Sequence, residues 1–137
     1  MAVTMSYPKP RAHQTKLAAM SYLDLTAREI MELPKYAVIT GIYVIGGAVS
    51  NAATTGTLSI GTSVTATELM SGYDVKTAAT GEGFNLAGAA AVGSAMGTPL
   101  TADAHIYGIY AETGTAATAG NWIVAVDYFV TGPGETL

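Results

Sequence analysis

Alternation of apolar and polar positions, rather than any helical period, organises this chain. Its densest stretch is residues 36–50, Tyr-Ala-Val-Ile-Thr-Gly-Ile-Tyr-Val-Ile-Gly-Gly-Ala-Val-Ser. β-Branched and aromatic residues pack well on a pleated surface, and Leu33-Pro34-Lys35 supplies a turn just before them, so the stretch is predicted to be the central strand. Both alternating sets are apolar or small: Val38, Ile42 and Val44 on one side, Ile39, Tyr43 and Ile45 on the other. A strand with one wet face would be polar at every second place. Here both faces need cover, from a second sheet or from another protein. At about 3.3 Å per residue the stretch would run roughly 50 Å, longer than ordinary strands, so Gly46-Gly47 is expected to mark a bulge or bend.

The same reading extends along the chain. Residues 1–14, with Ser6-Tyr7-Pro8-Lys9-Pro10-Arg11, form an extended arm, because two prolines one residue apart remove backbone donors and favour polyproline-like geometry. Two readings of it stand: a frayed terminus, or an arm lying along a neighbouring subunit with Tyr7 as anchor and Lys9 and Arg11 as charge contacts. Residues 16–25 are a strand. Residues 26–33 fit a two-turn helix with a Thr26/Glu29 capping box, or an alternating strand, and their place between two strands favours the strand. Residues 57–61 alternate cleanly, with Leu58 and Ile60 inward, and are expected to form a hairpin with the central strand. Residues 65–72 suit one helical turn ended by Gly72, and 73–77 resume an extended path. Residues 76–103 are Ala, Gly and Thr with few large apolar side chains, among them Phe84 and Leu86, and hold either weak strands or a functional loop. The segments 104–112 and 122–130 are the clearest strands, joined by a hairpin loop or a sheet-to-sheet crossing. About eight strands and no convincing long helix predict an all-β fold: a jelly-roll-like antiparallel β-sandwich over residues 15–137, preceded by the extended N-terminal arm.

Composition narrows the function. The 137 residues are one domain's worth, with no Cys, hence no disulfide, thiolate metal site or cysteine nucleophile. Charged residues make up 12% against 50% hydrophobic, which leaves a surface of small and hydroxyl side chains common in proteins packed into assemblies. Five of the six basic residues precede Tyr36 and seven of the ten acids follow it. With a net charge of −4 and no Lys/Arg cluster on any strand, binding to a nucleic-acid backbone is not expected. No apolar run reaches the roughly 20 residues of a spanning helix, and the run at 17–23, cut off by Asp24, is too short and polar for a secretory signal.

Chemistry finds little to work with. His13 and His105 are far apart, and a metal centre needs three or four ligands, so no metal or other cofactor is expected and His105 reads as a structural or interface residue. Gly81-Glu82-Gly83-Phe84 lacks the Lys-Ser/Thr and the following helix of a phosphate-binding loop. No nucleophile elbow occurs, and no pair of acids is tied to a cleft. Tyr43, Tyr107, Tyr110, Trp122, Tyr128 and Phe129 read as core and interface anchors rather than as a sugar-binding platform.

The pattern Leu33-Pro34-Lys35-Tyr36-Ala37-Val38-Ile39-Thr40-Gly41-Ile42-Tyr43-Val44, then Thr57-Leu58-Ser59-Ile60-Gly61, resembles the small structural proteins that decorate or cement the heads of tailed bacteriophages. Tyr73-Asp74-Val75-Lys76-Thr77, Ile106-Tyr107-Gly108-Ile109-Tyr110 and Val124-Ala125-Val126-Asp127-Tyr128 are also similar to that group, over roughly residues 16–130. In length, lack of Cys and strand pattern the chain resembles the cement-protein type of a Bordetella bacteriophage. The resemblance implies a virion protein without catalytic residues, made in the host bacterial cytoplasm and bound on the outer capsid surface. There it would tie major capsid proteins together as a homodimer or other small homo-oligomer. Its contacts are then expected from Tyr7, Lys9 and Arg11, from Tyr43, and from the loop around Phe84 and Leu86. The alternative, from another class, is a receptor- or glycan-binding sandwich of a phage fibre or adhesin.

Overall fold

Among the described residues eight strands follow one another: β1 (Gln14–Ser21), β2 (Arg28–Leu33), β3 (Ala37–Ala48), β4 (Thr55–Gly61), β5 (Met70–Asp74), β6 (Ala91–Val92), β7 (Ala104–Thr113) and β8 (Asn121–Val130). They are seen in a computed structural model that describes residues 12–77, 91–92 and 97–132. The strands form two sheets, ordered β1-β8-β3 and β2-β7-β4-β5-β6, and every pairing is antiparallel. The protein is an all-β antiparallel sandwich, as its turn-separated alternating segments predict.

The connectivity is that of a ribbon rolled over on itself. β1 pairs with β8, β2 with β7 and β4 with β5, so early strands meet late ones in nested order. The remaining partner of β3 is supplied by residues 97–100. Gly97 N–H donates to Ile39 O (3.0 Å), Leu100 N–H to Ala37 O (2.9 Å), and Tyr36 N–H to Leu100 O (2.9 Å). Nested pairing of this kind is the jelly-roll arrangement, with the fourth pair reduced to a few bonds.

Apolar side chains from both inner faces fill the space between the sheets. Leu33, Ile39, Ile42, Leu58, Ile60, Leu69, Met70, Ile106, Tyr110 and Val124 are fully buried there. Gly108 on β7 lets the layers approach, since a β-carbon at that position would lie 2.5 Å from Met20 Sδ. At one end, Tyr110 stacks on Trp122 across the sandwich with centroids 5.6 Å apart. Its hydroxyl meets Ser50 Oγ at 2.6 Å and donates to Glu112 Oε2 at 3.0 Å, and that carboxylate also accepts Ala117 N–H. Burial and the nearby Glu112 raise the phenol above its ordinary 10.0, against a smaller opposite pull from Ser50, so it stays a neutral donor.

Several expectations are corrected. The stretch around 36–50 is indeed a strand, but β8, not β3, lies in the middle of the three-stranded sheet. β3 and β4 do not form a hairpin: they belong to opposite sheets, and the chain crosses between them at 49–54. The link from β7 to β8 is likewise a sheet-to-sheet crossing. Residues 65–72 contain no helical turn. Glu68 turns its carboxylate back into the loop, accepting from Thr62 and Thr67 N–H (3.1 Å each), Thr65 Oγ1 (3.2 Å) and Ser63 Oγ, so the side chain closes a non-helical turn instead of capping a helix. β1 starts at Gln14 and ends at Ser21, where Asp24 accepts the Ser21 N–H and folds the chain toward β2. The 26–33 segment is the expected strand, with a register shift at Ile30.

The faces of β3 also differ from simple alternation. A register shift between Ile39 and Gly41 inserts Thr40 as a bulge, and a second, between Gly46 and Ala48, falls at the glycine pair, as its length predicts. The first shift changes the phase: Ala37, Ile39, Ile42 and Val44 face the core, while Val38, Tyr43 and Ile45 face outward. Ile39→Ala is therefore expected to cost about 2–5 kcal/mol of stability. Ile45→Ala should cost less than about 1 kcal/mol, because that side chain keeps its contact with solvent. Urea unfolding of the two variants checks this, and equal losses would contradict the shifted phase.

Candidate functional site: the outer face of the three-stranded sheet

Directly paired residues share a face, so the registers of β1, β8 and β3 lay out the outer surface row by row. Leu17, Ala125 and Tyr43 form one row, Ala19, Ile123 and Ile45 the next, and Thr15, Asp127 and Gly41 a third. Beyond them Phe129 pairs with Val38, and the His13 ring packs edge-on against Phe129 at 5.5 Å. The result is an apolar sheet face. Leu17 is 61% exposed, Ile123 41% and Ile45 36%. Among the described residues the rows hold one carboxylate, Asp127, which accepts from Thr15 Oγ1 at 2.5 Å.

The bulge at Gly47 shapes one end of this face. Asn121 Oδ1 accepts Ala48 N–H at 2.6 Å, and a β-carbon on Gly47 would lie 2.4 Å from that oxygen, so only glycine lets the bulge close on Asn121. Beside it lies a concavity of about 200 Å³ lined by Ala19, Ile45, Gly46, Gly47, Asn121 and Ile123. Its size and lining suit an apolar side chain.

The other outer surface mixes hydroxyl and charged groups with Tyr107 and Ile109. On the five-stranded sheet Thr55 and Thr113 meet through their hydroxyls at 2.6 Å, Thr57 lies opposite Ala111, and Ser59 Oγ accepts Gly72 N–H at 2.9 Å. Further along, His105 Nδ1 and Glu29 Oε1 lie 2.7 Å apart in solvent. Hydroxyl and charged groups lose hydration when covered and apolar groups gain by it, so the two faces are not equivalent as contact surfaces.

The edge by β1 is closed. Arg28 Nη2 donates to Ala19 O at 2.7 Å while its Nε and Nη2 hold Asp24, and Lys16 Nζ reaches Glu32 O at 2.5 Å. Partial burial alone would raise the Asp24 pKa, but the hydrogen bonds from Arg28 and Ser21 N–H and the charge of Arg28 outweigh it and lower it below 3.8. Side chains thus bridge β1 to β2 where another strand would otherwise add.

Of the residues singled out from sequence, Tyr43 is on this face, its ring laid back over Gly41. Tyr7, Lys9, Arg11, Phe84 and Leu86 lie outside the described residues. His105 is an exposed partner of Glu29 on the opposite sheet, not a neighbour of the apolar face. Leu17 and Ile123 were not singled out. The signal that finds them is the one read in 36–50: the segment 122–130 is also apolar on both parities, with Ile123, Ala125 and Phe129 alternating against Trp122, Val124, Val126 and Tyr128.

No protein-family model matches the chain, and no curated protein matches it. Among solved structures, a chain of the cyanophage Pam1 capsid asymmetric unit has the same fold. The two superpose with a TM-score of 0.69 at 18% sequence identity, over 96% of this chain and 94% of that one.

His105 allows a check on the polar face. The hydrogen bond that His105 donates to Glu29, the charge of Glu29, and the weaker fields of Glu32 and Asp103 raise its pKa above 6.5. A raised folded-state pKa means the pairing contributes stability fully below the unfolded value of 6.5 and loses it as pH rises through the folded value. Proton NMR titration is expected to place His105 above 6.5, and Glu29→Gln to bring it down. An unchanged midpoint in that variant would show the pair is not formed in solution.

Proposed function

We propose that this chain is a structural, non-catalytic virion protein that binds the outside of a phage capsid shell and ties neighbouring major capsid proteins together, working as a homodimer or other small homo-oligomer. The observation that carries the reading is the apolar outer face of β1, β8 and β3, set against the hydroxyl-rich face opposite. A sheet face bearing Leu17, Ile45 and Ile123 is stable in water only at a cost, and it is the surface an assembly would bury. The fold shared along nearly the whole chain with a component of the cyanophage Pam1 capsid says which kind of assembly to look in.

The physical task matches the equipment. A subunit that bridges two shell proteins stabilises the assembled state by its binding free energy. At a free concentration a hundred times Kd, that is about 2.7 kcal/mol per site, multiplied over many equivalent sites. Such work needs a rigid scaffold with one adhesive surface and no reactive group.

Purified protein added to capsids that lack it is expected to give regularly placed density on the shell and to raise the temperature at which the heads release their contents. Ile123→Asp, which places a charge on an already exposed position, should fold normally and bind at least tenfold more weakly. Random or absent density on the shell, or binding to host cells and not to shells, would overturn the proposal.

A further inference from the structure

We propose that the occupant of the apolar face is the N-terminal segment 1–7 of a second copy of this chain, so that copies are linked by exchanged arms. This specifies the self-association in the reading above and takes from it only that the face is buried.

Three observations on different parts of the molecule converge. The first is pattern. Met1, Val3, Met5 and Tyr7 alternate with Ala2, Thr4 and Ser6, so an extended segment there carries its large apolar groups along one side. The rows Leu17–Ala125–Tyr43 and Ala19–Ile123–Ile45, with the concavity beside Gly47, form an apolar surface of matching character. The backbone of the central strand, β8, is already paired on both sides, so the face takes side chains rather than a ladder.

The second is direction. β1 is held to its first residues: Gln14 lies opposite Tyr128, whose hydroxyl donates to Gln14 Oε1 at 2.8 Å, and His13 packs on Phe129. Traced back from Gln14, the chain therefore leaves the sheet past Phe129, away from Leu17 and Ala19. To return to its own face it would have to reverse at once. In the sequence, Pro8 and Pro10 disfavour the helical region for the residues before them, so the stretch is poorly suited to the tight turn such a reversal needs.

The third is reach. Seven extended residues span about 23 Å, more than the width of a three-stranded sheet whose strands lie about 4.8 Å apart.

The chain has no cysteine, so engineered ones report without background. Full-length Val3→Cys and Ile123→Cys chains, mixed without any shell protein under mild oxidation, are expected to form a disulfide-linked heterodimer. Val3→Cys mixed with Thr57→Cys, on the hydroxyl face, is expected to form none. Sedimentation equilibrium should give the unmodified chain a mass above one copy, and Ile123→Asp a mass of one copy. Absence of the Val3–Ile123 link, a mass unaffected by Ile123→Asp, or ring closure within a single chain carrying both cysteines at high dilution would each overturn arm exchange. Because no capsid is present, failure here leaves shell binding standing, and failure to decorate shells leaves arm exchange standing.

Discussion

Strand β8 holds together two strands that are not neighbours. β1 pairs with it over Gln14–Ser21 and β3 over Ala37–Ala48, so the three-stranded layer exists only through β8. Its inner residues Trp122, Val124, Val126 and Tyr128 are at most 2% exposed, and Trp122 carries the stacking contact to Tyr110 that spans the sandwich. Its outer residues, Ile123, Ala125, Asp127 and Phe129, are the spine of the apolar face. A single strand thus shapes the layer, the core and the apolar outer face at once. Changes in it are felt inside or outside according to parity alone.

Much of this was legible in the chain because alternation is a local signal. Each of the segments 16–25, 26–33, 36–50, 57–61, 104–112 and 122–130 corresponds to a strand, with ends moved by a few residues. What alternation does not carry is the choice of partner. Residues 36–50 and 57–61 look like a hairpin because they are close in sequence, yet their hydrogen bonds go to β8 and β7, far along the chain. Phase was lost at Thr40, where an added residue turns Ile39 and Ile42 to the same side. At 65–72 a helix-like composition was overridden by one carboxylate, Glu68, which satisfies the loop's own N–H groups. For the outer face, the doubly apolar character of 36–50 raised the question of cover on both sides. The answer needed the register that places Ile45 beside Ile123 and Ala19.

The two outer faces differ in what covering them with another surface would cost. Hydroxyls on β4 and β7 bond to one another and to backbone across the five-stranded sheet, giving a surface that keeps its water. Arg28 and Lys16 seal the β1 edge with side-chain bonds to carbonyls, which discourages uncontrolled strand addition.

The nested pairing also sets a clock. Gln14 finds its partner in Tyr128, and the whole of β8 lies in the last part of the sequence. While the chain is being synthesised, β1 and β3 emerge with no strand to join them, and the three-stranded layer waits until β8 has cleared the ribosome. Pairings of such long range are slow to close and leave apolar strands uncovered in the interval. The jelly-roll order therefore leaves the apolar residues of β3 without their partner strand until the last part of the chain is made.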